Sequence, residues 1–290
     1  MNIADARGPS SVTIPAVPPP RRVALSGVAE TLLIPLHAKA IDYRSRHSIL
    51  HDAKADEILR SLDYDFSSFK DSGRAVLLAV RARQLDEWVR EFLRSYPTAI
   101  VLNLGCGLDS RVLRIDPPTT VDWYDVDFPE VIEARRAFYP DRPGYAMVGS
   151  SLNQPDWLER LPADQPVIAI ADGVFEYLGE SDVRQLLRRF ADHFARGEVV
   201  FDVMNAYATQ TGNSSLKATM QAELRWAVGD LLEVDALEPR LHRTATAPIY
   251  RSRYLPWSMR SFFWLAAFAP NLRTAIRLLR YDLVSAPKKD

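Results

Sequence analysis

Between residues 99 and 205, five short and almost uninterrupted apolar runs alternate with stretches of helical periodicity. No other feature constrains the fold as strongly. The runs are "AIVLNLG" (99–105), "TVDWYDVD" (120–127), "YAMVG" (145–149), "PVIAIADGV" (166–174) and "EVVFDVMN" (198–205). A strand that is apolar on both sides must be covered on both faces, which is the pattern of a parallel sheet sandwiched between helices. One intervening helix is expected to open at Asp127-Phe128-Pro129, where an N-cap aspartate and a nearby proline favour a start. Another is expected at Ser181-Asp182, continuing through Val183, Leu186, Leu187, Phe190 and Phe194. Upstream, residues 28–95 read as helical. Leu78, Leu85, Trp88, Val89, Phe92 and Leu93 share one face before Pro97 ends the run. After Asn205 the alternation stops. A polar stretch, "TGNSS", precedes an expected helix over "LKATMQAELRWAV", then a helix near "MRSFFWLAAF" and a last strand near "IRLLRYDLV".

The 36 basic and 37 acidic residues leave a net charge of −1 and alternate along the chain. A dedicated binder of nucleic acid or of an anionic membrane would carry a basic patch, so neither is expected as a partner. The expected partner is a small-molecule substrate, and the chain is expected to be a monomer or a homodimer. Cys106 is the single cysteine, which excludes a disulfide framework and fits a reducing, cytoplasmic setting. The five histidines show no metal-ligand spacing, so no metal is expected. Residues 1–22 are rich in proline, carry no signal-like apolar run and read as a disordered arm. The longest apolar stretch, "FFWLAAFAP", is about half of a membrane span.

The first strand runs into a glycine turn, "VLNLGCGLDSR" (101–111). In an open parallel sheet the ligand sits at the carboxyl ends of the strands, and glycine there lets the backbone approach it closely. A nicotinamide fingerprint needs a third glycine three positions after the second, but Ser110 stands there. The Gly-Lys-Ser/Thr ending of a triphosphate loop is absent. Asp125 and Asp127 lie about twenty residues beyond Gly105, where a carboxylate can hold the two hydroxyls of a ribose. Two glycines with such a carboxylate favour S-adenosylmethionine. The turn by itself leaves the dinucleotide reading open.

Taken together, "RARQLDEWVREFL", "VLNLGCGLDSR", "WYDVDFPEVIEARR", "SSLNQPDWLERL" and "ADGVFEYLGESDVRQLL" resemble the leucine carboxyl methyltransferase family, and in particular its small-molecule branch, which includes polyketide O-methyltransferases. The likeness runs from about residue 30 to the C-terminus. It implies an α/β class I methyltransferase fold, Rossmann-like, with seven mostly parallel strands and helices on both faces. An N-terminal helical cap over 23–95 would precede an S-adenosylmethionine-binding domain over 96–290, with a lid inserted at about 206–243.

The resemblance also implies roles. Arg81, with Lys39, would hold the carboxylate of the cofactor's methionine moiety. Gly105, Cys106 and Gly107 would form the turn that meets the cofactor. Asp127 would bind the ribose, with Asp125 close by on the same side of the strand. Asp172, where the family usually has glutamate, would contact the methionine end. Tyr177 would border the methyl-transfer site. Ser151-Leu152 stands where several members have Asp-Leu beside the adenine; a hydroxyl accepts there more weakly than a carboxylate. Without the resemblance, Arg81 reads as a solvated helix residue, Asp125 as a helix cap and Tyr177 as ordinary core.

The implied reaction is methyl transfer to oxygen, leaving S-adenosylhomocysteine. A carboxylate acceptor, with a pKa near 4, needs no base; a phenol, near 10, benefits from one. No histidine stands in a motif suited to that task, which favours a carboxylate on an aromatic or polyketide-type acid. From their position in the lid and C-terminal region, Arg225, Arg251 and Arg253 are candidates to orient the acceptor, and Tyr207, Trp226 and Trp257 to wall it. The alternatives are a phenolic hydroxyl acceptor, a protein C-terminal carboxylate, a nicotinamide oxidoreductase disfavoured by Ser110, and a catalytically silent adenosyl-binding module.

Overall fold

The computed structural model describes residues 27–69, 74–266 and 268–284; the proline-rich arm falls outside them. Three helices come first: α1 (Leu33–Arg44), α2 (Ala53–Ser61) and α3 (Arg74–Ser95). The alternating region follows as β1 (Ala99–Leu104), α4 (Arg111–Ile115), β2 (Val121–Asp127), α5 (Pro129–Arg136), β3 (Tyr145–Gly149), α6 (Asp156–Glu159), β4 (Val167–Ala171), α7 (Glu180–His193) and β5 (Gly197–Met204). The chain continues through α8 (Ala206–Thr219), α9 (Leu231–Asp235), β6 (Leu241–Pro248), α10 (Trp257–Ala266), α11 (Pro270–Arg273) and β7 (Ile276–Leu283).

The seven strands form one sheet in the order β3-β2-β1-β4-β5-β7-β6. β1 to β5 are parallel; β7 runs antiparallel to both β5 and β6. Strand order reverses between β1 and β4, so their carboxyl ends leave a crevice there.

Alternate residues of each strand serve opposite faces. Val101, Val121, Trp123, Ile168, Ile170 and Val200 pack beneath Leu85, Trp88, Val89 and Phe92 of α3. Ile100, Leu102, Ala169, Val199 and Phe201 face Val183, Leu186, Leu187 and Phe190 of α7 on the other side. These are the two covered faces that the apolar runs require.

Three local expectations need correction. Phe128, not Asp127, is the N-cap of α5, and it makes no side-chain cap; Pro129 sets the first turn. The "TGNSS" stretch lies inside α8, whose start is capped by Asn205 accepting from the Ala208 N–H at 2.9 Å. "AELRWAV" is extended instead of helical: Ala222, Leu224, Trp226 and Val228 are buried and their neighbours exposed, a period of two. The segment expected as a lid at about 206–243 leads into β6, an edge strand whose "HRTATAP" carries no apolar run. No helix among the described residues is long and apolar enough to cross a membrane.

Candidate active site

The glycine turn leaves β1 with Gly105 at φ +59° and Gly107 at φ +50°, the left-handed region that side chains avoid. A Cβ on Gly105 would fall 2.6 Å from Val174 Cγ2. Both oxygens of Asp127, at the end of β2, brace the turn: the Gly107 N–H donates to one at 2.7 Å and the Phe128 N–H to the other at 2.7 Å. Burial pushes the Asp127 carboxyl up to about 6, opposed by those two N–H groups and by Arg135. Between the glycines, burial also raises the Cys106 thiol well above its ordinary value, so it stays protonated at neutral pH. Ser110 is buried and donates to Asp52, so it takes part in the packing beneath the turn and not in a close approach to a ligand.

Asp125 is not at the surface of this crevice. It is fully buried opposite Asn103 in the strand register. Its carboxylate accepts from Asn103 Nδ2 at 2.8 Å, Trp123 Nε1 at 3.0 Å, Arg135 Nε at 2.9 Å and the Tyr145 hydroxyl at 2.6 Å. With its acceptor positions taken it neither faces a ligand nor caps a helix. It orients Arg135, which donates to the Gly107 carbonyl at 3.0 Å and lies over the Tyr139 ring. Asp125 therefore supports the turn from below.

At the other side of the crevice three elements converge on Arg81 of α3. Its Nε lies 2.6 Å from Asp172 at the end of β4, and its Nη1 lies 2.9 Å from Asp202 of β5 and 3.8 Å from Glu176. Gly173, at φ +74°, makes room for the guanidinium; a Cβ there would sit 2.5 Å from Arg81 Nη2. Its N–H donates to Asp202 at 2.7 Å. Lys39 of α1 pairs with Asp109 at 2.8 Å and reaches to 4.0 Å from Asp172. Arg111 of α4 pairs with Asp172 at 2.7 Å and with Asp86 at 2.7 Å.

The carboxyls in this cluster diverge. Burial raises Asp172, but Arg81, Arg111 and Lys39 outweigh it and hold the group down to about 2. Glu176 is pushed up to about 8 by burial and by the charge of Asp202, because the Arg81 nitrogens are already engaged by Asp172 and Asp202. Tyr177 rises to about 12, again chiefly through burial. At neutral pH it is a phenol that can donate but cannot act as a base.

One cavity of about 710 Å³ joins these parts. Lys39, Arg81, Gly105, Cys106, Gly107, Asp127 and Asp172 are among its lining residues, as are Ser151 and Leu152. The Ser151 hydroxyl accepts from the Asn153 N–H at 3.3 Å. Tyr177, Tyr207 and Arg225 line the cavity too, together with apolar residues such as Leu77, Met204, Leu216 and Ile276.

Trp226 lies outside the cavity. The extended backbone that exposes Arg225 turns Trp226 into the core beside Val228 and Val234. Trp257, Arg251 and Arg253 also lie outside it; Trp257 is 81% exposed. The sequence reading missed Asp109, Arg111, Gly173, Glu176 and Asp202. The motif "GLDSR" held a signal for Asp109 and Arg111, whose side chains follow a glycine turn directly, and "ADGVFEYLG" held one for Gly173 and Glu176.

The leucine carboxyl methyltransferase family model matches residues 33–191. The chain is 40% identical over 265 residues to the tetracenomycin polyketide synthesis O-methyltransferase TcmP of Streptomyces glaucescens, an alignment spanning 89% of this chain and 98% of that one. It is 30% identical over 275 residues to the S-adenosyl-L-methionine-dependent methyltransferase dpfgK of Gibberella zeae, spanning 85% and 90%. Among solved structures, a proposed methyltransferase from Thermobifida fusca shares the fold, with a TM-score of 0.60 at 14% identity over 90% of this chain and 96% of that one.

Proposed function

This chain belongs to the leucine carboxyl methyltransferase family, and from that premise we propose that it transfers a methyl group from S-adenosylmethionine to a carboxylate oxygen of a small aromatic or polyketide-type acid. The observation that carries the reading is that one cavity is lined both by an ionic, glycine-bearing set of residues and by many apolar side chains, with the exposed Arg225 among its lining.

The residues present suit an adenosyl cofactor. Side chains at Gly105 and Gly107 would fill the cradle, and Asp127, fixed by two backbone N–H groups, offers its remaining lone pairs to a ribose. Arg81 and Lys39 would supply cations for the methionine carboxylate, and Ser151 and Leu152 would border the adenine. When bound, the cofactor supplies an electrophilic methyl group on its sulfonium.

The chain itself contributes alignment and exclusion of water. Ion pairs from α1, α3, α4, β4 and β5 hold the ionic residues rigid before any ligand enters. The apolar lining desolvates the body of the acceptor, and Arg225 can pair with its carboxylate. That acceptor is already ionised at neutral pH, so the absence of a base in Tyr177 costs the reaction nothing.

The test is product chemistry. Purified protein, labelled cofactor and a panel of aromatic and polyketide acids are expected to yield a methyl ester that mild alkali cleaves. An alkali-stable methyl product would give the acceptor role to a hydroxyl.

A further inference from the structure

α10 is apolar on two sides. Phe263 and Met259 hold it against Val80, Ile249 and Leu255, with the Phe263 and Tyr250 rings 5.5 Å apart. The outward side is also apolar. Trp257 and Trp264 stand seven residues apart, about two turns, and so lie on one stripe. Leu265 and Phe268 extend it, and the Trp264 and Phe268 rings meet at 4.7 Å. These four and Phe262 are each more than half exposed. Single exposed apolar residues are ordinary, but five within one short segment mark a binding surface.

The charges within its own stretch of sequence have one sign, and the carboxylates that act on Arg253 are Glu87 and Glu91 of α3. From Pro239 to Tyr281 the sequence holds eight arginines and neither aspartate nor glutamate, an asymmetry that the chain's near-neutral total conceals. Arg240, Arg243 and Arg280 are paired with carboxylates from elsewhere, and Arg277 donates to the Val228 carbonyl. Arg251, Arg253, Arg260 and Arg273, beside α10, are exposed and form no ion pair among the described residues. Arg260 is held in place by the carbonyls of Leu255 and Arg253.

We propose that the outward face of α10 docks on a membrane surface that carries anionic headgroups. Exposed tryptophan, phenylalanine and leucine flanked by arginine is the composition of helices that lie in the bilayer interface. A second copy of this chain fits poorly, since a two-fold contact would bring the same arginines face to face. α11 and the residues after it supply Leu272, Ala275 and Ile276 to the cavity wall, so the segment that follows α10 joins this face to the cavity.

The test is cosedimentation of the full chain with vesicles of phosphatidylcholine alone or with about one third phosphatidylglycerol, read also by tryptophan emission. Trp88, Trp123, Trp157 and Trp226 are buried, so a blue shift reports on Trp257 and Trp264. Expected are binding to the anionic vesicles only, release by salt, and at least a tenfold weaker partition for the Trp264→Ser/Phe268→Ser variant with an unchanged unfolding midpoint. An Arg251→Gln/Arg253→Gln variant is expected to lose the preference for phosphatidylglycerol. Equal sedimentation with and without vesicles overturns the proposal, as does parent-like binding by the Trp264→Ser/Phe268→Ser variant. A parent dimer that this variant turns into a monomer, with no vesicle binding, would assign the face to a second copy. Retention by soluble polyglutamate without vesicle binding would assign it to an acidic protein.

Discussion

Replacing Gly173 with alanine probes the support of Arg81 without touching a charged group. The residue sits at φ +74°, where a Cβ costs about 1–2 kcal/mol. The same Cβ would lie 2.5 Å from Arg81 Nη2 and 3.0 Å from its Cζ. To restore an ordinary contact of about 3.5 Å, the guanidinium must retreat by about 1 Å. It cannot do so freely, because Asp172 holds its Nε at 2.6 Å and Asp202 its Nη1 at 2.9 Å. Breaking a buried pair outright costs about 3–5 kcal/mol, and stretching two of them costs a fraction of that. The sum is a loss of about 2–4 kcal/mol, read as a lower urea midpoint with an unchanged slope. Calorimetry is expected to show S-adenosylhomocysteine bound about tenfold more weakly, a loss of about 1.4 kcal/mol. Gly179→Ala is the control: its φ is −78° and the nearest atom to a Cβ is 3.7 Å away, so it should cost less than about 1 kcal/mol. If Gly173→Ala unfolds and binds like the parent, the guanidinium does not depend on that glycine.

Asp127→Asn is expected to weaken S-adenosylhomocysteine binding by about 1–2 kcal/mol in calorimetry. The parent should lose affinity as pH falls through about 6, where its raised carboxyl takes up a proton, while the variant stays flat over that window. Glu176→Gln is expected to stabilise the fold by about 1–3 kcal/mol near pH 8 in urea titrations. The unfolded chain releases this proton near the ordinary carboxyl value and the folded chain only near 8, so the parent's stability falls as pH rises between them and the variant removes that slope. Trp226→Ala should cost about 3–5 kcal/mol as a core truncation, measured by denaturant unfolding. Arg225→Ala should leave the unfolding midpoint within about 0.5 kcal/mol of the parent and raise the acceptor KM.

β1 and β4 are the most legible strands in the sequence, because covering both faces of a sheet demands a nearly unbroken apolar run. β6 is not legible, since an edge strand half open to solvent tolerates threonine, histidine and arginine in alternation. The middle of α8 reads as a loop because Thr211, Gly212 and Asn213 are poor helix formers; the Asn205 cap and the burial of Leu216 override them. In the site, Gly105, Arg81 and Asp127 stand inside contiguous motifs. Asp202 acquires its meaning only from Arg81, 121 residues away, and no spacing rule reaches that far. Asp125 and Asp127 share a strand face by simple alternation, but which of them meets the crevice depends on Arg135, whose reach back across the turn is a tertiary fact. The pattern "AELRWAV" carried its own answer in its alternation, hidden by residues that also favour helices.

β7, the last strand in sequence, occupies an inner place in the sheet, between β5 and β6. During synthesis β5 therefore emerges with one edge unpaired and keeps it so until Ile276–Leu283 has been made. An unpaired strand edge invites pairing with another chain. β5 also carries Asp202, so an ion pair of the site that spans 121 residues rests on a strand whose final partner arrives late. Release of nascent chains halted before β7 should yield aggregates instead of ligand-binding protein, and refolding of the full chain should recover adenosyl binding only in its slowest phase.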